Sequence, residues 1–261
     1  MMNNELHPVL SGAESLFFKG NETGIVLCHG FNGTPQSMEY IGENLAKYGY
    51  TVSIPRLKGH GTHVKDMESS TYEEWIENLQ NAHETLKQTC ERVYIVGQSM
   101  GGALTLQVAF RQYVDGIFLI NAAVTDVAYN EYRYENTLSM IEEGNPDIKK
   151  HAVHEITYDQ VPLKAIHQLL DLMDHTKNKL KHISIPTIIF KSKIDHVVSP
   201  TNSDYIYNNI SSSEKWLIEL KNSYHVASMD YDAPFIVDNI HESITNLNKN
   251  RPFQIMSSSS V

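Results

Sequence analysis

The stretch YIVGQSMGGALTLQVAF, residues 94–110, decides the fold of this chain. It begins with apolar, β-branched residues, which predict a short buried strand. Beyond Met100 the apolar spacing suits a helix packed on a sheet, and Gly97-Gln98-Ser99-Met100-Gly101 joins the two. A strand that turns at once into a helix crowds the turning residue, and small neighbours relieve that crowding. The pattern therefore predicts that Ser99 lies above a sheet edge, at the start of a new helix.

Apolar runs on both sides of this stretch alternate with helical patterns. Strands that alternate with helices are joined by right-handed crossovers. The sequence therefore predicts an α/β fold with a mainly parallel central sheet flanked by helices. Further strands are expected at 24–28, 50–55, 116–121, 186–190 and 215–220, and further helices at 36–48 and 72–89.

One interval, residues 124–184, is longer than an ordinary crossover between two strands requires. It contains Gly-Asn-Pro-Asp at 144–147 and then a long helical pattern. We interpret it as a small helical cap inserted over the carboxyl ends of the strands; a crossover with extra helices is the alternative. Residues 1–123 and 185–250 would then form the core, and the Ser-rich residues 251–261 are expected to form a disordered tail.

The composition excludes several classes of function. The chain has 261 residues and a formal net charge of −10 at pH 7, which disfavours nucleic acid and anionic lipid as partners. Its two cysteines do not predict a disulfide framework. Neither a leader pattern nor a long apolar run is visible, so we expect a cytoplasmic protein without stable membrane insertion.

The position of Ser99 at the turn predicts nucleophilic catalysis if two partners are available. A serine hydroxyl needs an imidazole to take its proton, and the imidazole needs a carboxylate to orient it. On a doubly wound hydrolase sheet these groups follow later strands, in the order serine, acid, histidine. Asp195 follows the strand predicted at 186–190, and His225 follows the one at 215–220. We therefore predict Ser99 as nucleophile, Asp195 as acid and His225 as base.

Other polar residues offer weaker alternatives. Asp126 follows an earlier strand and is the second candidate acid, while His196 is a weaker candidate base because it adjoins Asp195. His60 and His63 have a spacing seen in metal sites, but no cysteine or carboxylate cluster completes one. Glycine motifs for a phosphate or a dinucleotide are also missing. The sequence predicts neither a metal nor an organic cofactor.

Two main-chain amides are candidates for the oxyanion hole. A tetrahedral intermediate needs two preorganised N–H donors. One is expected from Met100, directly after the nucleophile, and the other from Phe31, in the loop after an early strand. Their side chains would be free to line a pocket for an acyl group.

Taken together, the blocks HGFNGTPQSM, PRLKGHGTH, GQSMGGALTL, KSKIDHVVSP and NSYHVASMDYD resemble those of the α/β-hydrolases. The resemblance is closest to bacterial monoacylglycerol lipases and related carboxylesterases, and it extends from about Val9 to Ile240. It implies the α/β-hydrolase fold, the same triad and the same two amides. It also implies a cap with an apolar tunnel and a polar end for glycerol, where Asp159 would supply the carboxylate in place of a glutamate.

The expected reaction is hydrolysis of a monoacylglycerol to glycerol and a fatty acid through an acyl-enzyme. One alternative is a general carboxylesterase that acts on short- to medium-chain esters. A second alternative is a ligand-binding protein that keeps the fold without catalysis, for which a broken triad would be the expected sign. Fold alone does not select among these functions.

Overall fold

A computed structural model describes residues 5–249, so the tail predicted at 251–261 lies outside the described residues. No helix in this part of the chain is long and apolar enough to cross a membrane. The strands are β1 (Leu16–Phe18), β2 (Thr23–Cys28), β3 (Thr51–Ile54), β4 (Arg92–Gln98), β5 (Gly116–Ile120), β6 (Met140–Glu142), β7 (Gln160–Pro162), β8 (Thr187–Ser192) and β9 (Lys215–Leu220). The α-helices are α1 (Gln36–Lys47), α2 (Val64–Ser69), α3 (Tyr72–Lys87), α4 (Met100–Arg111), α5 (Leu163–Lys177), α6 (Thr201–Asn209) and α7 (Ala233–Asn248).

Seven strands form one sheet in the order β1-β3-β2-β4-β5-β8-β9. β1 runs antiparallel to β3, and the other neighbouring pairs are parallel. The predicted α/β fold with a mainly parallel central sheet is confirmed. Because parallel strands end at the same edge of a sheet, the loops after β2, β4, β8 and β9 share one rim of the molecule.

The sheet is buried on both faces, and β4 shows how its residues are divided between them. Val93 and Ile95 pack into the apolar layer that contains residues of α3, α4 and α5. Tyr94 and Val96 point into the other layer, with residues of α1 and α7. Successive side chains of a strand alternate between faces, so a continuous apolar run is what a covered parallel strand requires.

The interval 124–184 is less helical than its sequence suggests. It contains a 3₁₀ turn at Ala128–Tyr132, the antiparallel ribbon of β6 and β7, the helix α5 and a second 3₁₀ turn at Leu180–His182. The helical pattern of the sequence corresponds to α5, whose apolar residues share a core with those of α3 and α4. The assignment of the whole interval to a separate cap stays a prediction.

The turn from β4 into α4 depends on close approach between main chains. A Cβ atom at Gly101 would lie 2.6 Å from the main-chain oxygen of His29 and still closer to that of Cys28. A Cβ atom at Gly97 would collide with the main-chain oxygen of Gly101. The first turn of α4 can therefore lie against the ends of β2 and β4 only because these positions carry no side chain.

We expect Gly101→Ala to lower the free energy of unfolding by about 2 kcal/mol or more, because main chain rather than a flexible side chain must move. Urea denaturation followed by circular dichroism measures this change. Gly144→Ala is the matched control: a Cβ atom there meets open space. The control should stay within about 0.5 kcal/mol of the wild type. Equal stability of the two variants would contradict the close approach described here.

Candidate active site

Ser99 is held in a strained conformation between β4 and α4. Its φ of 55° and ψ of −120° lie in a region that side-chain-bearing residues rarely adopt. The main chain fixes this conformation, because the N–H of Ser99 donates to the carbonyl of Ile120 at 2.9 Å and its carbonyl accepts from Ala123 at 3.1 Å. The hydroxyl does not cap the helix and is free to point away from it.

The structure brings Ser99, His225 and Asp195 together. The hydroxyl oxygen of Ser99 lies 2.9 Å from Nε2 of His225, and Nδ1 of the same ring lies 2.8 Å from Oδ2 of Asp195. The second carboxylate oxygen of Asp195 accepts the N–H groups of Val197 and Val198, at 2.9 and 2.7 Å. Because a carboxylate accepts hydrogen bonds only, Nδ1 carries a proton and Nε2 is left to accept one from the serine.

The charge around His225 favours its protonated form. Burial alone would lower the pKa of this imidazole. The carboxylate of Asp195, through its charge and its hydrogen bond, and the charges of Asp147 and Glu155 act in the opposite direction and prevail. The pKa of His225 is therefore raised above its ordinary value, so the imidazolium that forms during proton transfer is stabilised.

The alternative acid and base lie elsewhere. Asp126 is exposed, and its main-chain groups bond to the side chain of Asn202. The ring of His196 is mostly exposed and places Nδ1 2.8 Å from Asp147. The structure therefore favours Asp195 and His225 over these two candidates.

Phe31 and Met100, whose amides were predicted to bind an oxyanion, both lie next to Ser99. Phe31 lines the same cavity as Ser99, and the preceding Gly30 packs against the Cβ atom of the serine. Met100 is the first residue of α4, so its N–H has no acceptor within the helix. Their role as oxyanion donors stays a prediction.

The histidines near this rim have structural roles. His29 accepts the N–H of Leu57 at Nε2 and lies 2.9 Å from the carbonyl of Gly30 at Nδ1, so it shapes the loop before Phe31. His63 caps the N-terminus of α2 through the N–H of Lys65. Within residues 5–249 no group of three or more histidine, cysteine, aspartate or glutamate side chains is placed to hold a metal ion.

A cavity of about 290 Å³ opens beside Ser99 and His225. Most of its wall is apolar, which suits a hydrocarbon chain. Glu143, Glu155 and residues 144–147, which include Asp147, add polar groups to it. The apolar part of the wall is formed by Phe31, Ala123, Val127, Leu169, Val198 and Val226.

Asp159, the predicted carboxylate of the substrate site, does not line the cavity beside Ser99, and its role stays a prediction. Asp159 is exposed and lies outside the cavity lining, and its carbonyl accepts the N–H of Glu143 at 2.8 Å. The preceding residue, Tyr158, is buried instead. Sequence reasoning missed Glu155, because the segment before Tyr158 is irregular and no periodicity marks it.

Glu155 is a buried carboxyl group with few charges to compensate it. Only 7% of the residue is exposed, and burial raises its pKa to about 7, although His225 and a hydrogen bond from Ser37 act in the opposite direction. Gly33 makes room for this group, since a Cβ atom there would lie 2.9 Å from the carboxylate oxygen. Glu155 therefore changes its charge close to neutral pH.

Glu143 is held by hydrogen bonds from two elements. The hydroxyl of Tyr129 donates to its carboxylate oxygens, which lie 2.7 and 2.8 Å away, and the amide of Asn32 lies 3.5 Å from one of them. Burial raises the pKa of Glu143 above its ordinary value, against the effect of these hydrogen bonds. The side chain joins the insertion to the loop that carries Phe31.

A serine at a strand–helix turn, with its histidine and acid after later strands of one parallel sheet, is the arrangement of the α/β-hydrolases. The chain belongs to the Hydrolase_4 family (serine aminopeptidase, S33), whose pattern matches residues 21–132 and 122–232. It is 44% identical to the thermostable monoacylglycerol lipase of Bacillus sp. strain H-257, over 90% of this chain and 95% of that protein. It is 25% identical to a carboxylesterase of Bacillus subtilis strain 168, over 88% and 95% of the two chains.

Solved structures agree with these sequence relatives. A structure from the work on LipS and LipT, two metagenome-derived lipolytic enzymes, has a TM-score of 0.86 and 37% identity over 93% of this chain and 100% of that one. A soluble variant of the monoglyceride lipase of Saccharomyces cerevisiae has a TM-score of 0.75 at 14% identity, over 96% and 98% of the chains, and shows the shared fold. The predicted class, an ester-hydrolysing enzyme with the α/β-hydrolase fold, is confirmed.

We expect Glu155→Gln to make the protein more stable than the wild type above neutral pH. The pKa of Glu155 is about 7 when folded, against an ordinary value of 4.5, so folding favours its protonated form. The wild type therefore loses stability as the pH rises from about 4.5 through about 7, on the order of 3 kcal/mol for this group. Glutamine does not ionise and avoids that loss.

Thermal unfolding of wild type and Glu155→Gln between about pH 4 and pH 8.5 measures the difference. Asp159→Asn, which removes an exposed carboxylate four residues away, is the matched control and should show no such trend. A constant difference between Glu155→Gln and wild type across this range would contradict the assigned burial.

Proposed function

We propose that this enzyme hydrolyses monoacylglycerols to glycerol and a fatty acid. The cavity beside Ser99 is the observation that supports this most strongly, because its largely apolar wall also contains the carboxyl groups of the half-buried Glu143 and the buried Glu155. The apolar wall can stabilise an acyl chain, and the carboxyl groups can bond to the hydroxyl groups of glycerol. The 44% identity to a thermostable monoacylglycerol lipase supports the same substrate class.

Acylation begins with attack of the Ser99 hydroxyl oxygen on the ester carbonyl carbon. His225 takes the serine proton at Nε2, while Asp195 holds the ring and stabilises its positive charge. The N–H groups of Phe31 and Met100 donate to the developing oxyanion. The tetrahedral intermediate collapses as His225 returns the proton to the departing glycerol oxygen, which leaves the acyl group on Ser99.

Deacylation repeats the same steps with water. His225 removes a proton from the water as its oxygen attacks the acyl carbonyl carbon. The second intermediate collapses to the fatty acid, and the proton returns to the oxygen of Ser99. Each proton taken by the imidazole is given back within the cycle, so no co-reactant besides water is consumed.

A general carboxylesterase for short- to medium-chain esters is the second candidate. The cavity volume of about 290 Å³ favours it, because small-molecule sites commonly range from about 300 to 1,000 Å³. The Bacillus subtilis relative is a carboxylesterase, in agreement with this alternative. A ligand-binding protein without catalysis receives less support, since His225 lies within hydrogen-bond distance of both Ser99 and Asp195.

We also propose that the enzyme acts in the cytoplasm on lipid ester molecules. The two cysteines, Cys28 and Cys90, are buried and unpaired, as is common in a reducing compartment. The formal charge of −10 opposes lasting attachment to anionic lipid, so the substrate would be taken up during brief encounters.

We expect Ser99→Ala to abolish glycerol release from monoacylglycerols, because the attacking oxygen is removed. Release is measured for chains from octanoyl to stearoyl, beside hydrolysis of p-nitrophenyl butyrate, and circular dichroism verifies that the variant is folded. A wild-type preference for the glycerides supports the proposed substrate. Activity on the small ester alone selects the general carboxylesterase, and a folded wild type inactive on both contradicts the catalytic function.

We expect Glu155→Gln to reduce the preference for monoacylglycerols over fatty acid methyl esters by about tenfold, since a hydrogen bond to a charged acceptor is lost. The ratio of kcat/KM for the two substrates measures this preference. Asp159→Ala is the control, because Asp159 lies outside the cavity, and its ratio should equal that of the wild type. An unchanged ratio in Glu155→Gln together with a reduced ratio in Asp159→Ala would instead support recognition of glycerol by Asp159.

A further inference from the structure

We propose that Asp147, in the segment between β6 and β7, is a positioning residue that holds the loops of Asp195 and His225 in register with each other. This inference rests on the proposed function, because it concerns the same triad. Asp147 lies in the interval 124–184 and comes from neither triad loop.

The carboxylate of Asp147 bonds to both triad loops at once. Its Oδ2 atom accepts the N–H groups of His196 and His225, at 3.0 and 3.2 Å. Its Oδ1 atom lies 2.8 Å from Nδ1 of His196, and its main-chain oxygen accepts the N–H of Val226 at 3.1 Å. Only 13% of the Asp147 side chain is exposed, although the ring of His196 on its outer side is mostly exposed.

These bonds act directly beside the triad. One donor belongs to His225 itself, and another belongs to His196, the residue after Asp195. The two loops follow different strands, β8 and β9, and neither Asp195 nor His225 lies within a strand or a helix. A single carboxylate that accepts from both sets their separation, and therefore the 2.8 Å contact between Asp195 and His225.

A second carboxylate bonds in the opposite direction. Asp230, which follows His225 in the chain, accepts the N–H groups of Lys149 and Lys150 at 2.7 and 3.0 Å. It also accepts the N–H of Tyr224 at 3.0 Å. Asp147 of the interval 124–184 thus accepts from the histidine loop, and Asp230 of the histidine loop accepts from that interval. Neither segment can shift without breaking several charge-assisted hydrogen bonds, which are among the strongest in proteins.

Asp147 also contributes charge to the base. The carboxylates that act on His225 are Asp195 from the acid loop and Asp147 and Glu155 from the insertion. Each raises the pKa of the imidazole, against the effect of burial. Removal of the charge on Asp147 should therefore lower the pKa of His225, so that the neutral, reactive imidazole persists to lower pH.

The test is Asp147→Asn, which keeps the shape of the side chain and removes its charge. We expect kcat for p-nitrophenyl butyrate to fall about tenfold or more, because the reacting groups are misplaced, while KM changes little. We also expect the acidic limb of the kcat/KM profile to move to lower pH. A residue with only a structural role would lower the unfolding temperature and leave this limb in place.

Two controls test whether the effect of Asp147→Asn is specific. One removes a different carboxylate, and the other removes the ring of His196. Asp174→Asn removes an exposed carboxylate on α5 that pairs with Arg133. His196→Ala removes the ring bonded to Asp147 and keeps the main-chain N–H. Asp174→Asn should retain the kcat and the acidic limb of the wild type, and His196→Ala, which keeps the main-chain bond to Asp147, should lower kcat less than Asp147→Asn does. A folded Asp147→Asn variant that also retains both overturns the inference.

Asp147→Glu keeps the charge and lengthens the side chain. It should lower kcat and leave the acidic limb close to its wild-type position, so it decides the question if the asparagine variant does not fold. Wild-type kcat in Asp147→Glu would then contradict a positioning role. Failure of the proposed function is distinguishable, because it would show in the wild type itself, as activity on the small ester alone or on neither substrate.

Discussion

The structure depends on the contact between the first turn of α4 and the end of β2. Gly101 allows the main chains to meet there, Gly97 lets α4 turn back on β4, and Ser99 between these two glycines has a φ of 55°. Strain at one residue is thus balanced by packing over the whole parallel sheet. The serine hydroxyl is held in place by the core of the protein, while its two partners lie on the loops that follow β8 and β9.

Carboxylates bond to those loops or lie close to His225. Burying them beside the imidazole raises its pKa but can lower the stability of the protein. Asp195, Asp147 and Glu155 all act on one buried imidazole. Asp195 and Asp147 are satisfied by main-chain N–H groups, but Glu155 has few donors and its pKa rises to about 7. A buried carboxyl group with this environment lowers stability near neutral pH, which is acceptable where the group serves a substrate.

The sequence was sufficient to predict the sheet, and the residues predicted as a triad lie close together for a geometric reason. Parallel strands end at one rim, so Ser99, Asp195 and His225, each just after a strand, had to lie near one another. The insertion was not predictable in the same way. The helical period of α5 showed that one face is buried without showing what covers it, and α5 lies against α3 and α4. Glu155 and Asp147 lie in irregular segments, where no period links position to orientation.

Residues 144–147 connect the cavity to the loops of Asp195 and His225. Residues 144–147 line the cavity, and the last of them bonds to the loops of the acid and the base. A change of shape in this segment that admits a different ester would also move Asp147, and with it the contact between Asp195 and His225. Selectivity and turnover should therefore vary together for substitutions at 144–147. Substitutions at Leu169, which lines the cavity from α5, should instead change selectivity and leave turnover on the small ester unchanged.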